Sequence, residues 1–257
     1  MFSVWRMLFL SKNMTAKKHK MHPNFRPLPI FTALCATMFA ILIGLGVWQI
    51  QRLHWKLGLI AEVNHSLAEP PFSLDRALAM GPRAGYHRVW LDGWFLNDKE
   101  SYVYASGPGG APVYHVLTPF ETREDRRILM VDRGIVPPAL LDPAKRTPVD
   151  ERVIVGVWRT PDAPGLFTPQ PDIAHRIWYS RDVTAMAAAR DVKLTAPVIV
   201  EANAAPNPGG WPKGGQTQVT FRNEHLQYAI TWFLLAAALL GVYILYHISR
   251  GRLGWKR

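Results

Sequence analysis

Two short segments carry residue types and spacings that could do chemistry, and each borders a long apolar run. In Asn223-Glu224-His225-Leu226-Gln227-Tyr228-Ala229-Ile230-Thr231-Trp232-Phe233, the residues His225, Tyr228, Ala229 and Trp232 recur at helical spacing and so share one face. An imidazole at the edge of an apolar run, with an aromatic wall below it and Ala229 leaving room between, suits a flat apolar macrocycle. The imidazole can ligate its iron and the rings can pack on its faces. In Gly46-Val47-Trp48-Gln49-Ile50-Gln51-Arg52-Leu53-His54-Trp55-Lys56, the residues Trp48, Arg52 and Trp55 share a face, and Arg52 or Arg222 could pair the carboxylates of such a ligand. Both segments also suit a plainer role, aromatic belts with a snorkelling arginine at a membrane surface. The residues alone leave the two readings open.

The elements that must position these segments are two apolar runs, residues 30–51 and 225–248. Each is long enough, at about 1.5 Å rise per residue, to cross a hydrocarbon core of about 30 Å as a helix. A cleaved signal peptide is the competing reading of the first run. That run exceeds a signal-peptide core and ends in Trp48-Gln49-Ile50-Gln51-Arg52, with no small-x-small cleavage site there. Met14 and Met21 are alternative starts. Ala36, Ala40 and Gly44 on the first run and Ala237 and Gly241 on the second form small faces that would let the helices approach. Such packing would bring Trp48 and Arg52 near His225 and Trp232.

The net charge of +11 looks like a nucleic-acid signature until it is located. Arg6, Lys12, Lys17, Lys18, Lys20 and Arg26 precede the first run, Arg250, Arg252, Lys256 and Arg257 follow the second, and neither tail has an acid. Everything between is nearly neutral, which makes nucleic acid a poor partner. The basic tails instead place both ends in the cytoplasm under the positive-inside rule. The chain then divides into a cytoplasmic tail (1–29), a transmembrane helix (30–51), a periplasmic β-rich domain (52–224), a second transmembrane helix (225–248) and a second cytoplasmic tail (249–257). The single cysteine, Cys35, lies in the first run. The exported part therefore has no disulfide, no C-x-x-C-H haem attachment and no thiolate copper or zinc site.

Within residues 52–224, Trp55, Leu59, Val63 and Leu67 extend the helical pattern beyond the first run until Pro70-Pro71. Runs rich in β-branched and aromatic residues predict strands at 88–96, 100–105, 114–120, 127–132, 152–159, 175–180, 197–201 and 216–221. Asn97-Asp98 predicts a hairpin between the first two. The Gly- and Pro-rich stretches 107–112 and 206–215 are read as loops. Asp182 caps the one clear soluble helix, reaching about Asp191. The fold class is a mostly antiparallel β domain, sandwich or barrel-like, with one packed helix, flanked by two transmembrane helices. No G-x-S-x-G, H-E-x-x-H or phosphate loop occurs, so an enzyme is unsupported.

Taken together, Gly46-Val47-Trp48-Gln49-x-x-Arg52-x-x-x-Lys56, the run from Tyr114 to Pro119, Val131-Asp132-Arg133-Gly134-Ile135-Val136-Pro137 and Asn223-x-His225-Leu226-x-Tyr228-Ala229-x-Thr231-Trp232-Phe233 resemble the Surfeit locus protein 1 family. The resemblance covers most of residues 29–248. It implies a non-enzymatic assembly factor for haem-copper oxidases, particularly cytochrome c oxidase, that assists the handling of haem a and its insertion into the catalytic subunit. The implied partners are that subunit, haem a synthase and the lipid bilayer, in a bacterial inner membrane. The alternatives are a scaffold that never touches haem and an accessory subunit of the mature oxidase. The histidine opening the second span is the proposed haem a ligand in bacterial members, which makes His225 the metal ligand here. Tyr228, Trp232, Arg52, Trp48 and His54 are the surrounding contacts, His54 as a second contact only. Asp132 and Ile135 stand where the family pattern has asparagine and tryptophan.

Overall fold

The computed structural model describes residues 22–149, 151–217, 219 and 221–256; the basic residues before 22, Met14 and Met21 lie outside them. The chain forms two compact units, residues 57–222 and a second made of the segments up to residue 56 and from 223 onward.

The terminal unit is built on α1 (Pro29–Ala68) and α4 (His225–Ser249). Both are long and apolar enough to cross a membrane. Outside their ends, β1 (His22–Phe25) pairs antiparallel with β9 (Leu253–Lys256). The seam between the helices is not the one the small residues suggest. A Cβ on Gly44 or Gly241 would meet nothing within 4 Å, whereas one on Gly46 would stand 2.5 Å from the Phe233 ring. In the segment of α1 up to residue 56, Leu42, Gly46 and Gln49 are buried, and Ala229, Ala236 and His247 are the buried residues of α4. The contact stripe is thus rotated by about half a helical turn from Gly44, because the bulk of Phe233 needs a glycine opposite it. Towards the other end, the Thr32 and Tyr243 hydroxyls share a 2.8 Å hydrogen bond. As predicted, α1 does not stop at the apolar boundary but runs on to Ala68, just before Pro70-Pro71.

Residues 57–222 form a barrel. The strands are β2 (Arg88–Phe95), β3 (Ser101–Ser106), β4 (Pro112–Thr122), β5 (Ile128–Val136), β6 (Glu151–Arg159), β7 (Ile177–Trp178) and β8 (Ile199–Ala202). Their order is β2-β6-β8-β5-β4-β3-β7, and an added β2–β4 pairing closes a ring of β2, β6, β8, β5 and β4. Pairing is antiparallel except at β5–β8 and β3–β7. Strand β4 is shared, with Pro112–Leu117 pairing β3 and Phe120–Thr122 pairing β2.

The expected β2–β3 hairpin does not form. Asn97–Lys99 is a 3-10 turn, and neither Asn97 nor Asp98 takes the positive φ that a two-residue hairpin turn requires. The turn sends β3 to the start of β4 while β2 pairs with the end of that strand. Gly93 permits this closure, since a Cβ there would lie 2.0 Å from the Glu121 carbonyl oxygen. Of the run 175–180 only Ile177–Trp178 is strand. The described residues of 216–221 form none, and positions 218 and 220 lie outside the description.

The barrel interior holds Val89, Leu91, Phe95, Phe120, Leu129, Val131, Ile154, Trp158 and Val200. A short helix that the sequence reading missed, α2 (Leu74–Met80), adds Leu74 and Ala77 to this core, and the Ser73 hydroxyl caps it by accepting from the Arg76 amide. On the outside, α3 (Val183–Ala188) is capped by Asp182 as expected and packs Val183 and Met186 on Val103, Leu117, Met130 and Ile199. Leu129 and Val131 thus face one core and Met130 the other, which is why β5 reads as an unbroken apolar run.

Candidate functional site

His225 is the first residue of α4, and its imidazole meets α1. Its Nδ1 lies 2.7 Å from Gln49 Oε1. With the amide oxygen accepting, Nδ1 carries the proton and donates it, which leaves the Nε2 lone pair free to ligate a metal. The side chain of Gln49 is buried, whereas His225 is only partly so. Gln49 therefore orients the ring from the packed side.

The other predicted residues divide. Trp232 is half-buried one turn pair below His225, while Tyr228 on the same helix is 51 % exposed. Ala229 is buried, so it does not provide the open space expected between the imidazole and the aromatic wall. Trp48 and Trp55 are exposed, as are Arg52 and His54. The guanidinium of Arg52 lies 4.5 Å above the Trp55 ring, a cation–π contact. Gln49 is thus the α1 residue that reaches His225, one position from the Trp48–Arg52–Trp55 face. Its signal was present: an amide inside an apolar run, at a depth where it needs a partner.

Among the described residues no three His, Cys, Asp or Glu side chains cluster as a metal site. His225 would hold iron that a macrocycle brings with its own nitrogen ligands. An imidazole is one of the side chains that can hold haem iron. The donor set fits that group, with one oriented histidine and exposed aromatic rings nearby on the same two helices.

The barrel unit contains two buried polar clusters that sequence reasoning did not assemble. In one, Glu100 accepts from Arg133 Nη1 at 3.1 Å, Arg146 Nη2 at 2.6 Å and the Tyr102 hydroxyl at 3.0 Å. Burial, and then the Glu100 charge, push the Tyr102 hydroxyl well above its ordinary range. In the other, His115 Nδ1 lies 2.8 Å from Asp132 Oδ2, and Arg181 bridges Asp132 (3.4 Å) and Glu201. Burial raises the Asp132 carboxyl, but the His115 hydrogen bond and charge, with Arg181 and the Gly134 amide, hold it below the usual range.

The central motif supplies both clusters through a β-bulge. Arg133 and Gly134 stand opposite the single residue Val116, between the His115–Ile135 and Leu117–Asp132 pairs. Gly134 takes φ 110°, and a Cβ on it would lie 1.9 Å from the Lys213 carbonyl oxygen. The bulge aims Asp132 and Arg133 into different clusters. A cavity of about 560 Å³ borders His115, Arg159, Arg181, Glu201 and Ile135. Arg159 lies 3.7 Å from Glu201, so the charges there compensate one another and tie four strands to the approach of α3.

The SURF1 family model matches residues 36–237. This chain belongs to the SURF1 family. It is 35 % identical over 218 residues to a SURF1-like protein of Monosiga brevicollis, covering 79 % of this chain and 82 % of that protein. It is 34 % identical over 221 residues to Surfeit locus protein 1 of Mus musculus, covering 77 % and 70 %. With the Homo sapiens protein it shares 33 % over 216 residues, covering 76 % and 70 %. The SURF1-family match takes in both candidate segments, the bulged motif on β5, most of α1 and about the first half of α4.

Proposed function

We propose that this chain is a non-enzymatic assembly factor for a haem-copper (cytochrome c) oxidase, assisting the delivery of haem a to the catalytic subunit. Membership of the SURF1 family supports the oxidase reading, and the hydrogen bond between His225 and Gln49 carries the haem reading. The chain sits in a bacterial inner membrane with α1 and α4 as its spans, both tails in the cytoplasm and the barrel in the periplasm. Its partners are the catalytic subunit, haem a synthase and the surrounding lipid.

Haem a, when bound, would supply an iron that can take an imidazole ligand. His225 would present Nε2 to it, Gln49 would fix the ring by accepting from Nδ1, and Trp232 and Tyr228 would pack beside it. Arg52 and Trp48, exposed on α1, are the groups available to its carboxylates and edge. His54 is exposed on α1 and is available as a second contact.

The test is haem a titration of the purified full chain, read by the Soret band. His225→Ala should abolish or shift the band without unfolding the chain. Gln49→Leu should keep the ligand and weaken retention about 10- to 100-fold, the usual cost of losing a group that orients a metal-bound histidine. The same hydrogen bond also suits a pure scaffold, in which it only pins α1 to α4. An unchanged haem spectrum and affinity in His225→Ala would decide for that reading.

A further inference from the structure

Where α1 ends, three residues outside the site above join it to the barrel. Glu69, the residue after α1, directs one carboxylate oxygen to each of two histidines. Its Oε1 lies 3.4 Å from His65 Nε2, one turn back on α1, and its Oε2 lies 3.7 Å from His87 Nε2, at the entry to β2. All three belong to the unit formed by residues 57–222, and they do not converge on a common point as metal ligands would. The two histidines differ in burial: the side chain of His65 is 79 % exposed, that of His87 only 13 %.

The surroundings of His87 fix which nitrogen carries its proton. Nδ1 lies 3.3 Å from the Ala84 carbonyl oxygen, which can only accept, so Nδ1 is the donor in the neutral ring. Nε2 then turns a lone pair towards the Glu69 carboxylate, and two acceptors make no hydrogen bond. A proton on Nε2 reverses this. The imidazolium keeps its bond to Ala84 and gains a charge pair with Glu69. The ring is held in place for either state, because it stacks on Phe72 with centroids 4.8 Å apart. Phe72 is itself fixed to β2: its amide donates to the Arg88 carbonyl at 2.7 Å and its carbonyl accepts from the Trp90 amide at 3.0 Å.

The other charges around the ring are cations. Arg76 of α2 lies 3.6 Å above the Phe72 ring, Arg83 and Arg88 flank His87 in the chain, and Arg159 of β6 stacks on the neighbouring Tyr86. Among the described residues Glu69 is the acid within ion-pair distance of His87. An imidazolium at this position therefore depends on Glu69.

We propose that Glu69 and His87 form an acid-strengthened clasp between the end of α1 and the barrel, tightening when His87 takes a proton at Nε2 and slackening when that proton leaves. Because the pair favours the protonated ring, its contribution is present below the imidazole range and is lost as pH rises through it. The pair between His65 and Glu69 spans one helical turn and does not reach the barrel.

A double-mutant cycle on the full chain tests the clasp. Glu69→Gln, His87→Asn and the double variant are unfolded in urea at about pH 5.5 and about pH 7.5, either side of the ordinary imidazole range. Asparagine keeps a donor near the position of Nδ1 and removes Nε2. The coupling between positions 69 and 87 should favour folding at the lower pH and shrink at the higher one by about threefold in the folding constant, the scale of a partly exposed ion pair. Equal coupling at the two pH values, or stronger coupling at the higher one, would overturn the proposal. His65→Gln should leave most of the pH difference in place; if it abolishes that difference, the acid response is local to α1 and there is no clasp. Hydrogen exchange at the Phe72 amide, corrected for intrinsic rates, reads the same region without unfolding the chain. Its protection should rise on acidification in the parent and not in Glu69→Gln, and an equal rise in both would also overturn the proposal.

Discussion

Glu100 sits where two arginines and a tyrosine converge, 2 % exposed, with Arg133 and Arg146 side chains only 5 % exposed beside it. Charges taken this far from water are tolerable only as a set. Removing one member leaves the others buried without compensation, at a cost of about 3–5 kcal/mol. Glu100→Gln should therefore destabilise the barrel by roughly that amount, read as a lower urea midpoint in full-chain unfolding. Haem retention at the helix pair should be little changed once the chain is folded. The sequence hid this cluster because its members are 46 residues apart at the extreme and sit on a strand, a bulge and a loop. His225 was legible for the opposite reason: a histidine that opens an apolar helix needs no tertiary contact to look unusual. Its partner was harder to find, because only the rotation of α1 against α4 decides that Gln49, and not Arg52, meets the ring.

The elements themselves were mostly readable from periodicity and breakers, and pairing was not. Seven of the predicted strand runs contain observed strand, since each is a short apolar stretch between turn residues. The failed hairpin shows the limit. Asn97-Asp98 looks like a tight turn locally, but closure of the barrel at Gly93 assigns β4 to both β2 and β3. The helix seam was misread for a similar reason, because small residues mark where close approach is allowed and not where it occurs. The structure gives this a sharp test. Gly46→Leu should part α1 from α4 at a cost of about 1–3 kcal/mol, the usual penalty for overpacking, whereas Gly44→Leu should be silent, as its Cβ position faces open space. Disulfide crosslinking between Leu42→Cys and Ala236→Cys, both positions in the seam, would fall in the first background and hold in the second. Phe233→Leu should partly restore it by shortening the ring that Gly46 accommodates.

At the scale of the whole molecule, two expectations follow from charge. The first concerns acid. Asp132 is held low by His115 and Arg181 against the effect of burial, and Asp125 is lowered to about 2 by its hydrogen bonds to Arg127 and Thr122. Carboxyls lowered on folding stabilise the native state fully above their unfolded pKa of about 3.9. That contribution fades as pH falls through the folded values. Barrel stability should thus be flat with respect to these groups down to about pH 4 and drop between there and about pH 2, with Asp132→Asn flattening the drop at the expense of stability at neutral pH. Tryptophan fluorescence during urea unfolding at each pH would follow it. The second expectation is the topology, which follows from the tails' ten basic residues and absence of acids. Because the bias lies within a short distance of both spans, both ends should stay in the cytoplasm and the barrel should be exported. The exposed turn at Gly109 offers a place for a reporter that perturbs little. A fusion there should be active as a periplasmic reporter and silent as a cytoplasmic one. The reverse pattern would put the barrel on the wrong side of the membrane for the proposed haem transfer, and His225 could then face only the cytoplasmic leaflet.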